Sequence, residues 1–403
     1  MGMLRLGSSL RERDPVETLA LASPLMDAFG ISRVTDVTRM DRLGLPVAMS
    51  VRPRSRSLHV HAGKGLRAVD ARIGALMEAL EFAVAEPQRT HWMARTISAA
   101  GLQRAWGTGL RFDDLPLRMD SAVSPRDEWI ALPCEDLITG TWAPLPADLV
   151  FMPFHSPARP EVLQSTTNGL ASGNSVVEAT LHALLEVLER DALAFDLLHR
   201  QSAWVDPAGL PAPFPALAQR WAELGVPLAV RHVPNAFGLP CFKASLHDKS
   251  DSGVGMSIGS GLHLSPAIAV SRAISEAAQG RLSHIHGGRD DITNYFSHRA
   301  SLGAAGRAQA DADWAAAAFD RTRNVAFGAV ADCCPPAATL TVVLGDLLRR
   351  VWAAGFPRVY RHIFDAELHG LSVVRVVVPR CEDLSHGIDF MSARLKAQVS
   401  PHA

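Results

Sequence analysis

Residues 167–196, TNGLASGNSVVEATLHALLEVLERDALAFD, are the stretch that decides the fold. The stretch begins with a polar loop rich in glycine. Asn174 or Ser175 can cap a helix after this loop, because a short polar side chain accepts a hydrogen bond from a first-turn N–H. The apolar residues that follow recur with helical spacing, which predicts one packed face: Ala179, Leu181, Leu184, Leu185, Leu188 and Ala192. The stretch therefore predicts a loop followed by a buried helix.

The acidic residues of this helix are its unusual feature. Glu186 and Glu189 are three residues apart, so both carboxylates project from one helix face, beside the apolar stripe. The two charges repel each other unless a divalent cation lies between them. Mg²⁺ is commonly held by one or two carboxylates together with substrate phosphates. The alternative is a solvated helix face on which Arg190 supplies the counter-charge.

A second copy of the pattern occurs upstream. Residues 63–66, GKGL, lead into RAVDARIGALMEALEFAVAE, and residues 74–86 align without a gap on residues 182–194. The alignment places Glu78 on Glu186 and Glu81 on Glu189. The repeat predicts two half-domains, at about residues 30–160 and 161–385, whose carboxylate pairs face one cleft. Four carboxylates would hold more than one metal ion, and the metal ions would hold a polyphosphate.

The composition is that of a soluble globular protein. The chain has 403 residues, is 48% hydrophobic, and balances 40 basic against 41 acidic residues, which gives no general attraction to nucleic acid or membrane. The sequence contains no signal peptide and no apolar run of membrane-spanning length. Its five cysteines form neither a disulfide framework nor a CxxC metal site, so we expect a cytoplasmic protein. A GxxxxGK[ST] loop is absent, which excludes a P-loop enzyme.

The remaining segments predict strands interleaved with helices, with a helix-covered sheet in each half, and the predicted fold class is α+β. A third helix is expected to be capped by Ser265, with Pro266 in its first turn. We predict strands at residues 128–137 (EWIALPCEDL) and 147–154 (ADLVFMPF), and a buried strand at Val374–Val378. Residues 1–400 are expected to form a single catalytic domain, and residues 386–403 a weakly structured tail.

Three dispersed motifs resemble the YcaO family: GKG…ME..E, TNGLASGN…LLEVLERD and SRAISEAAQGRLSHIHGGRDD. The resemblance extends from about residue 10 to about residue 380. It implies a YcaO-like fold of two helix-covered β-sheet halves around a nucleotide cleft. It also implies an enzyme that uses ATP and Mg²⁺ to activate a peptide backbone amide, by phosphorylating or adenylylating its oxygen. An internal Cys, Ser or Thr then gives an azoline, external sulfide gives a thioamide, and an amine gives an amidine.

The resemblance also implies the site residues, although it names no general base. Metal-binding acids of the family correspond to Glu78, Glu81, Glu186 and Glu189, whereas the leading serine of the family's first motif is Gly74 here. The nucleotide-binding residues that the resemblance implies, some of them on the third helix, are Arg11, Thr18, Lys64, Asn174, Glu178, Arg190, Arg272, Glu276, Gln279 and Arg281.

The type of YcaO protein follows from two further features. Azoline-forming members often end in PxPxP, and this chain ends in LKAQVSPHA, which counts against cyclodehydration. SRVTDVTRMDRLGLPVAMSVRP and SEAAQGRLSHIHGGRDD resemble members that work with a TfuA-type partner, which implies thioamidation of a precursor peptide or protein. An azoline-forming cyclodehydratase and a non-catalytic scaffold remain the alternatives. The resemblance implies a homodimer as well, although no sequence stripe indicates one.

Overall fold

The computed structural model describes residues 2–87, 94–156, 159–248, 254–336, 339–385 and 387–399. Its helices are α1 (Pro15–Ala22), α2 (Ala68–Ala85), α3 (Ala99–Trp106), α4 (Val176–His199), α5 (Phe214–Glu223), α6 (Pro266–His286), α7 (Thr293–Ser301), α8 (Gly303–Ala318), α9 (Leu340–Ala353) and α10 (Ala393–Lys396). Within the described residues, no helix combines the length and the apolar character that a bilayer crossing requires.

The strands pair in antiparallel fashion throughout the described residues. In chain order they are β1 (Leu4–Arg5), β2 (Leu10–Arg11), β3 (Arg33–Asp36), β4 (Val47–Val51), β5 (Val60–Lys64), β6 (Arg95–Ser98), β7 (Leu117–Arg118), β8 (Glu128–Asp136), β9 (Trp142–Pro146), β10 (Leu170–Gly173), β11 (Ala203–Val205), β12 (Leu228–His232), β13 (Cys241–His247), β14 (Met256–Leu262), β15 (Tyr360–Ile363), β16 (Ser372–Val377) and β17 (Phe390–Met391). Together with the helices they confirm the predicted mixture of α and β structure.

The chain divides into two compact units that do not follow the order of the sequence. Unit I comprises Leu4–Ala79 and His199–Cys334, and unit II comprises Met1–Met3, Leu80–Leu198 and Pro335–Ala403. Helix α2 continues from one unit into the other. The sequence repeat predicted two half-domains, with boundaries near residues 30, 160 and 385. These boundaries come from the alignment of the two repeat copies, and they stay a prediction.

Unit I contains two larger sheets. The first has the order β3-β4-β5, and the second has the order β11-β12-β13-β14. Helix α6 packs on β13 and β14, and its buried alanines join a core that includes Trp221 and Phe242. The predicted start of α6 is confirmed, because Ser265 occupies the N-cap position and Pro266 lies in the first turn, but the Ser265 side chain makes no capping hydrogen bond to the helix. Gly287, with φ 68°, ends the helix in the left-handed conformation that favours glycine.

Unit II is built on one six-stranded sheet. Its strand order is β10-β16-β15-β8-β6, with β9 paired to β8. The predicted buried strand at Val374–Val378 is confirmed: β16 occupies Ser372–Val377, and Val374 is fully buried. Helix α4 buries Leu184 and Leu188 completely, as the helical spacing of the apolar residues predicted.

Close approach of helices to strands recurs in both units and requires glycine. A Cβ added at Gly63 in β5 would lie 2.1 Å from the Ala71 carbonyl oxygen, and one at Gly173 would lie 2.6 Å from the Ala179 nitrogen. At Gly259 in β14 the corresponding distance to the Ala277 nitrogen is 2.2 Å. Each helix therefore lies with its backbone directly against a strand.

Two sequence predictions are corrected by the structure. Residues 147–154 are not a strand, because the N–H groups of Val150 and Phe151 both bond the Ala147 carbonyl and make a tight turn. Residues 387–399 are not weakly structured: β17 pairs with β7, and α10 follows. Leu395 of α10 is fully buried, so burial of this apolar side chain holds the segment in place.

We predict that Gly259→Ala destabilises the protein by at least about 2 kcal/mol, because the added methyl group has to displace helix backbone. Gly280→Ala, in α6, is the matched control. Its Cβ would meet the Ile258 carbonyl oxygen at 3.6 Å, an ordinary contact. The control should stabilise the helix by roughly 0.5–1 kcal/mol. Chemical denaturation of both variants measures the difference, and equal stabilities would contradict the close-approach argument.

Candidate functional site

The loop before α4 forms a closed hydrogen-bond system in unit II. The Ser175 hydroxyl accepts from the Glu178 N–H at 3.2 Å, so Ser175 rather than Asn174 caps the helix through its side chain. Glu178 in turn accepts from the backbone N–H of Asn174 at 3.1 Å and from its side-chain amide at 3.0 Å. Asn174 and Glu178 are both buried. This arrangement, similar to a capping box, fixes the loop in front of the helix.

The predicted acids of unit II lie on two helices. Glu81 in α2 accepts hydrogen bonds from the Ser172 N–H at 2.8 Å and the Ser172 hydroxyl at 2.6 Å, which ties α2 to strand β10. On α4, Glu189 is buried, and Glu186 lies 4.0 Å from the Arg190 guanidinium. Arg190 therefore lies near Glu186, as expected if Arg190 supplies the counter-charge on a solvated helix face.

Arg375 is a residue that the sequence analysis missed. It lies in β16 and is 2% exposed, with Nε donating to the Val150 carbonyl and Nη1 to the Asn168 carbonyl. Its Nη2 has no hydrogen-bond partner among the described residues. Burial lowers the pKa of Arg375 to about 10, against the opposing charges of Glu186 and Glu81. A single arginine within a run of valines was the available signal.

In unit I, the edge strand β5 is held by side chains from two helices. Glu78 of α2 accepts from the Ala62 N–H at 2.7 Å, and Gln279 of α6 donates to the Ala62 carbonyl at 3.1 Å. The Lys64 ammonium contacts a Glu276 carboxylate oxygen at 2.5 Å. Burial raises the pKa of Glu78, and the nearby Arg289 opposes that shift. The structure thus brings together the four predicted residues Lys64, Glu78, Glu276 and Gln279.

A cluster of arginines surrounds the amino end of α6. Arg272, Arg5 and Arg11 all act on the buried His263, whose pKa falls to about 3, first because of burial and then because of these charges. His263 Nδ1 accepts from the Ser265 N–H at 3.0 Å. Arg5 donates to the Ser265 hydroxyl at 2.5 Å and pairs with Asp332 at 2.9 Å. We call Arg5, Arg11, Arg272 and His263 the arginine cluster.

Arg11 and Arg272 of the cluster were predicted, whereas Arg5 and His263 were missed, and their spacing in the sequence gave no signal for them. Thr18, also predicted, is buried in α1, where its hydroxyl donates to the Asp14 carbonyl at 3.2 Å. That bond gives Thr18 a role in the first turn of its own helix.

Arg281 was predicted to bind the nucleotide, but the structure places it between two carboxylates. It is buried, its Nε donates to Asp41 at 3.0 Å, and its Nη1 contacts Asp248 at 2.8 Å. Arg42 also contacts Asp248 at 3.0 Å. A buried guanidinium between two carboxylates is neutralised in place. We therefore assign Arg281 to the packing of unit I and not to the nucleotide.

The residues present fit the cofactors that the sequence analysis named. Arg5 donates to the hydroxyl of Ser265, the N-cap residue of the 21-residue α6, and the charges of Arg11 and Arg272 act on the neighbouring His263. N–H groups and the helix dipole favour an anion at such a helix end. The buried Nε of Arg272 has no partner in the described part of the chain, so a phosphate oxygen would supply one. Across that same part, no group of three or more His, Cys, Asp or Glu side chains forms a metal site. Carboxylates in ones and twos suit Mg²⁺ that is also bound by phosphate.

Guanidinium groups near a helix terminus suit a polyphosphate, and carboxylates suit divalent cations. The chain belongs to the YcaO family. The family model described as YcaO cyclodehydratase, ATP- and Mg²⁺-binding, matches residues 62–382. The predicted cofactors, ATP and Mg²⁺, are thus those of the family.

Relatives and solved structures agree with this assignment. A Methanothermobacter thermautotrophicus protein is 30% identical over 96% of this chain and 98% of its own length. A Rhizobium leguminosarum bv. trifolii protein, described as lying in the tfuA 3′ region, is 30% identical over 91% of this chain and 87% of its own length. The structure of YcaO from Methanopyrus kandleri, bound with AMPPCP and Mg²⁺, has a TM-score of 0.75 at 25% identity, and each chain is 95% covered. A heterocyclase with substrate and cofactor has a TM-score of 0.74 at 20% identity, covering 93% of this chain and 53% of the heterocyclase, which shows the same fold.

We predict that His263 makes folding stability depend on pH. Its pKa is about 3 in the folded protein, below the ordinary 6.5, so the unfolded chain binds more protons between these values. Its contribution is therefore complete above pH 6.5 and falls by up to roughly 1.4 kcal/mol per pH unit as the pH drops toward 3. In His263→Asn, Oδ1 can still accept from Ser265, and this loss should disappear.

The measurement is chemical denaturation of wild type and His263→Asn from pH 7 to pH 4. Comparing the two chains cancels the groups that titrate in both, including His61, whose pKa also falls to about 3 through burial and Arg52. Parallel stability curves over the whole range would contradict the prediction.

Proposed function

We propose that this protein uses Mg-ATP to activate a peptide backbone amide by phosphorylating the amide oxygen. The proposed product is a thioamide, formed with a TfuA-type partner that delivers sulfur. The observation that carries the proposal is the family match over residues 62–382, within which Glu78, Glu81, Glu186 and Glu189 are all retained. The fit of the arginine cluster to a polyphosphate supports it independently.

The residues divide into those that bind phosphate and those that hold metal. Arg272 and Arg11, with Arg5 beside them, would bind phosphate oxygens, because arginine offers a planar set of donors that matches an anion. The first turn of α6 after Pro266 adds backbone N–H groups. ATP supplies the phosphoryl group, and transfer of that group depends mainly on positioning and on neutralising charge.

The acids would hold Mg²⁺ through their carboxylate oxygen atoms. Glu81 and Glu78 are each oriented by a backbone N–H, of Ser172 and of Ala62 respectively. A carboxylate that is fixed in this way keeps its position when a cation binds to it, which is the role of an orienting hydrogen bond around a metal. Asn174 holds Glu178 in the same manner.

Thioamide formation is proposed on the sequence similarity to TfuA-associated members. The Rhizobium relative described by its place in the tfuA 3′ region supports the same partner. The second candidate is azoline formation, which the cyclodehydratase description of the family favours. A precursor peptide or protein is the substrate in either reaction. A non-catalytic scaffold is the third candidate, kept by the glycine at position 74.

The product is tested by intact-mass spectrometry of a candidate precursor peptide encoded beside this gene. The peptide is incubated with the protein, Mg-ATP, sulfide and a TfuA-type protein. A gain of about 16 Da, oxygen replaced by sulfur, is the expected result. A loss of about 18 Da would instead establish cyclodehydration and overturn the thioamide proposal.

Glu189→Gln tests whether the chain is the catalyst. We expect product formation to fall by at least about a hundredfold, because the charge that would hold Mg²⁺ is lost while the side-chain shape is kept. Glu223→Gln, on the surface helix α5, is the control and should keep full activity. Product formation by Glu189→Gln at the wild-type rate would favour a scaffold that supports a modifying partner.

We predict that Arg272→Gln weakens ATP binding about tenfold to a hundredfold, since a charge-assisted contact to phosphate is lost. Arg349→Gln is the matched control, because the Arg349 side chain is 73% exposed and pairs with Asp346 on its own helix. Calorimetric titration with a non-hydrolysable ATP analogue and Mg²⁺ gives both affinities. An unchanged affinity in Arg272→Gln would remove the arginine cluster from the nucleotide site.

A further inference from the structure

A partly open pocket in unit II has free space of about 620 Å³, including its mouth. Part of its wall is apolar, from Leu115, Leu149, Val187 and Phe390. The polar part of its lining includes Gln164, Thr166, Asn168 and Arg375. None of these polar residues belongs to the site predicted from the sequence.

Two polar atoms in the pocket lining are buried and lack a partner among the described residues. They are Nη2 of Arg375 and Oδ1 of Asn168, a donor and an acceptor. The two residues are neighbours, because Nη1 of Arg375 donates to the backbone carbonyl of Asn168 at 2.7 Å. Arg375 is 2% exposed, so bulk water has little access to its third nitrogen. Buried polar groups in proteins are nearly always paired, and this donor and this acceptor on neighbouring residues can pair with an acceptor and a donor of a ligand.

We propose that this pocket binds an extended peptide segment, whose C=O accepts from Arg375 Nη2 and whose N–H donates to Asn168 Oδ1. In an extended chain, the N–H and the C=O of one residue point to the same side, as they do along a strand edge. One residue of a peptide therefore matches this donor and acceptor together. The inference rests on the proposed function, for which it names the place where the peptide is held.

The lining favours a peptide over a free anion. Asn168 presents an acceptor, and the carboxylates of Asp148 and Asp383 also line the pocket, so a phosphate would meet negative charge there. Asp148 is itself paired with Arg159 at 2.5 Å, which leaves Arg375 as the cationic group with an unused donor in this lining. A neutral peptide with an apolar side chain complements both the polar pair and the apolar wall.

The position of Arg375 favours the substrate over the adenine base of the nucleotide. The register of the sheet pairs Arg375 with Leu170, and Ser172, two residues further along β10, projects from the same face of the sheet. Ser172 is the residue that holds Glu81. The charges of Glu81 and Glu186 also act on Arg375. A group bound at Arg375 is therefore near carboxylates assigned to the metal, where the reacting amide is needed.

The test pairs two small probes with the full-length protein, without nucleotide or metal. The probes are N-acetyl-L-valine N′-methylamide and its ester analogue, in which oxygen replaces the valine N–H. Ligand-observed NMR titrations give their dissociation constants. For the wild type we expect the amide to bind about threefold to tenfold more tightly than the ester. This ratio corresponds to the one hydrogen bond that the amide N–H makes and the ester cannot make.

Asn168→Leu should bind the amide and the ester equally, because the acceptor for the N–H has been removed. The backbone bonds of Asn168, its N–H to Thr166 and its carbonyl from Arg375, do not involve the substituted side chain. Gln164→Leu, in the same pocket, is the matched control and should keep the wild-type preference for the amide. Thermal unfolding of each variant checks that the fold is retained.

Three results would overturn the proposal. The first is failure of both probes to bind the wild type, which means that water satisfies the two atoms. The second is the same preference for the amide in Asn168→Leu as in the wild type. The third is displacement of the valine probe by AMP, which assigns the pocket to the base. Because nucleotide is absent from the titrations, the probes can bind as expected even where ATP-dependent modification fails, so the two failures are distinguishable.

Discussion

The direct contact of helix backbone with strand backbone is the constraint on which the rest of this structure depends. Gly63, Gly173 and Gly259 permit it, because any larger residue would place a Cβ within 2.6 Å of the helix backbone. A helix that lies this close brings its side chains to the strand's own N–H groups. Glu78 reaches Ala62 for this reason, because α2 is the helix that lies against Gly63. Gly63 thus fixes both the packing of α2 and the direction of Glu78.

Buried charges follow a common rule in both units, since each has its counter-charge or carbonyl partners close by. Arg281 lies between Asp41 and Asp248, and Asp191 is paired with Arg394 at 2.5 Å. Removing a charge from water costs several kcal/mol, which such partners repay. Arg375 has carbonyl partners instead of a paired carboxylate: carbonyl oxygens accept from two of its nitrogens, and the third has no partner in the described chain.

Local patterns made most elements predictable, whereas long-range partners were not predictable. Helix α6 follows from Ser265, Pro266 and an apolar period, and β16 follows from its valines, because caps and periodicity depend on neighbours in the chain. The role of Arg281 depends on Asp41, 240 residues away, and no local pattern contains that pairing. Residues 147–154 had the apolar composition of a strand and formed a turn, because tertiary burial selects apolar residues in either structure. His263 was missed because its environment depends on partners that are distant in the sequence: the arginines around it come from three separate segments.

The arrangement of the acids has a consequence for how metal and nucleotide bind. Glu78 and Glu81 each accept hydrogen bonds from backbone N–H groups, so part of each carboxylate is used by the fold. Throughout the described residues no three acidic, histidine or cysteine side chains come together as a metal site. Mg²⁺ requires six oxygen ligands and gives up its waters reluctantly. Carboxylates in ones and twos leave part of that shell to water and to phosphate oxygens. Phosphate that binds together with Mg²⁺ would therefore share the cation with the acids, and the cation would offset the repulsion between phosphate and carboxylate.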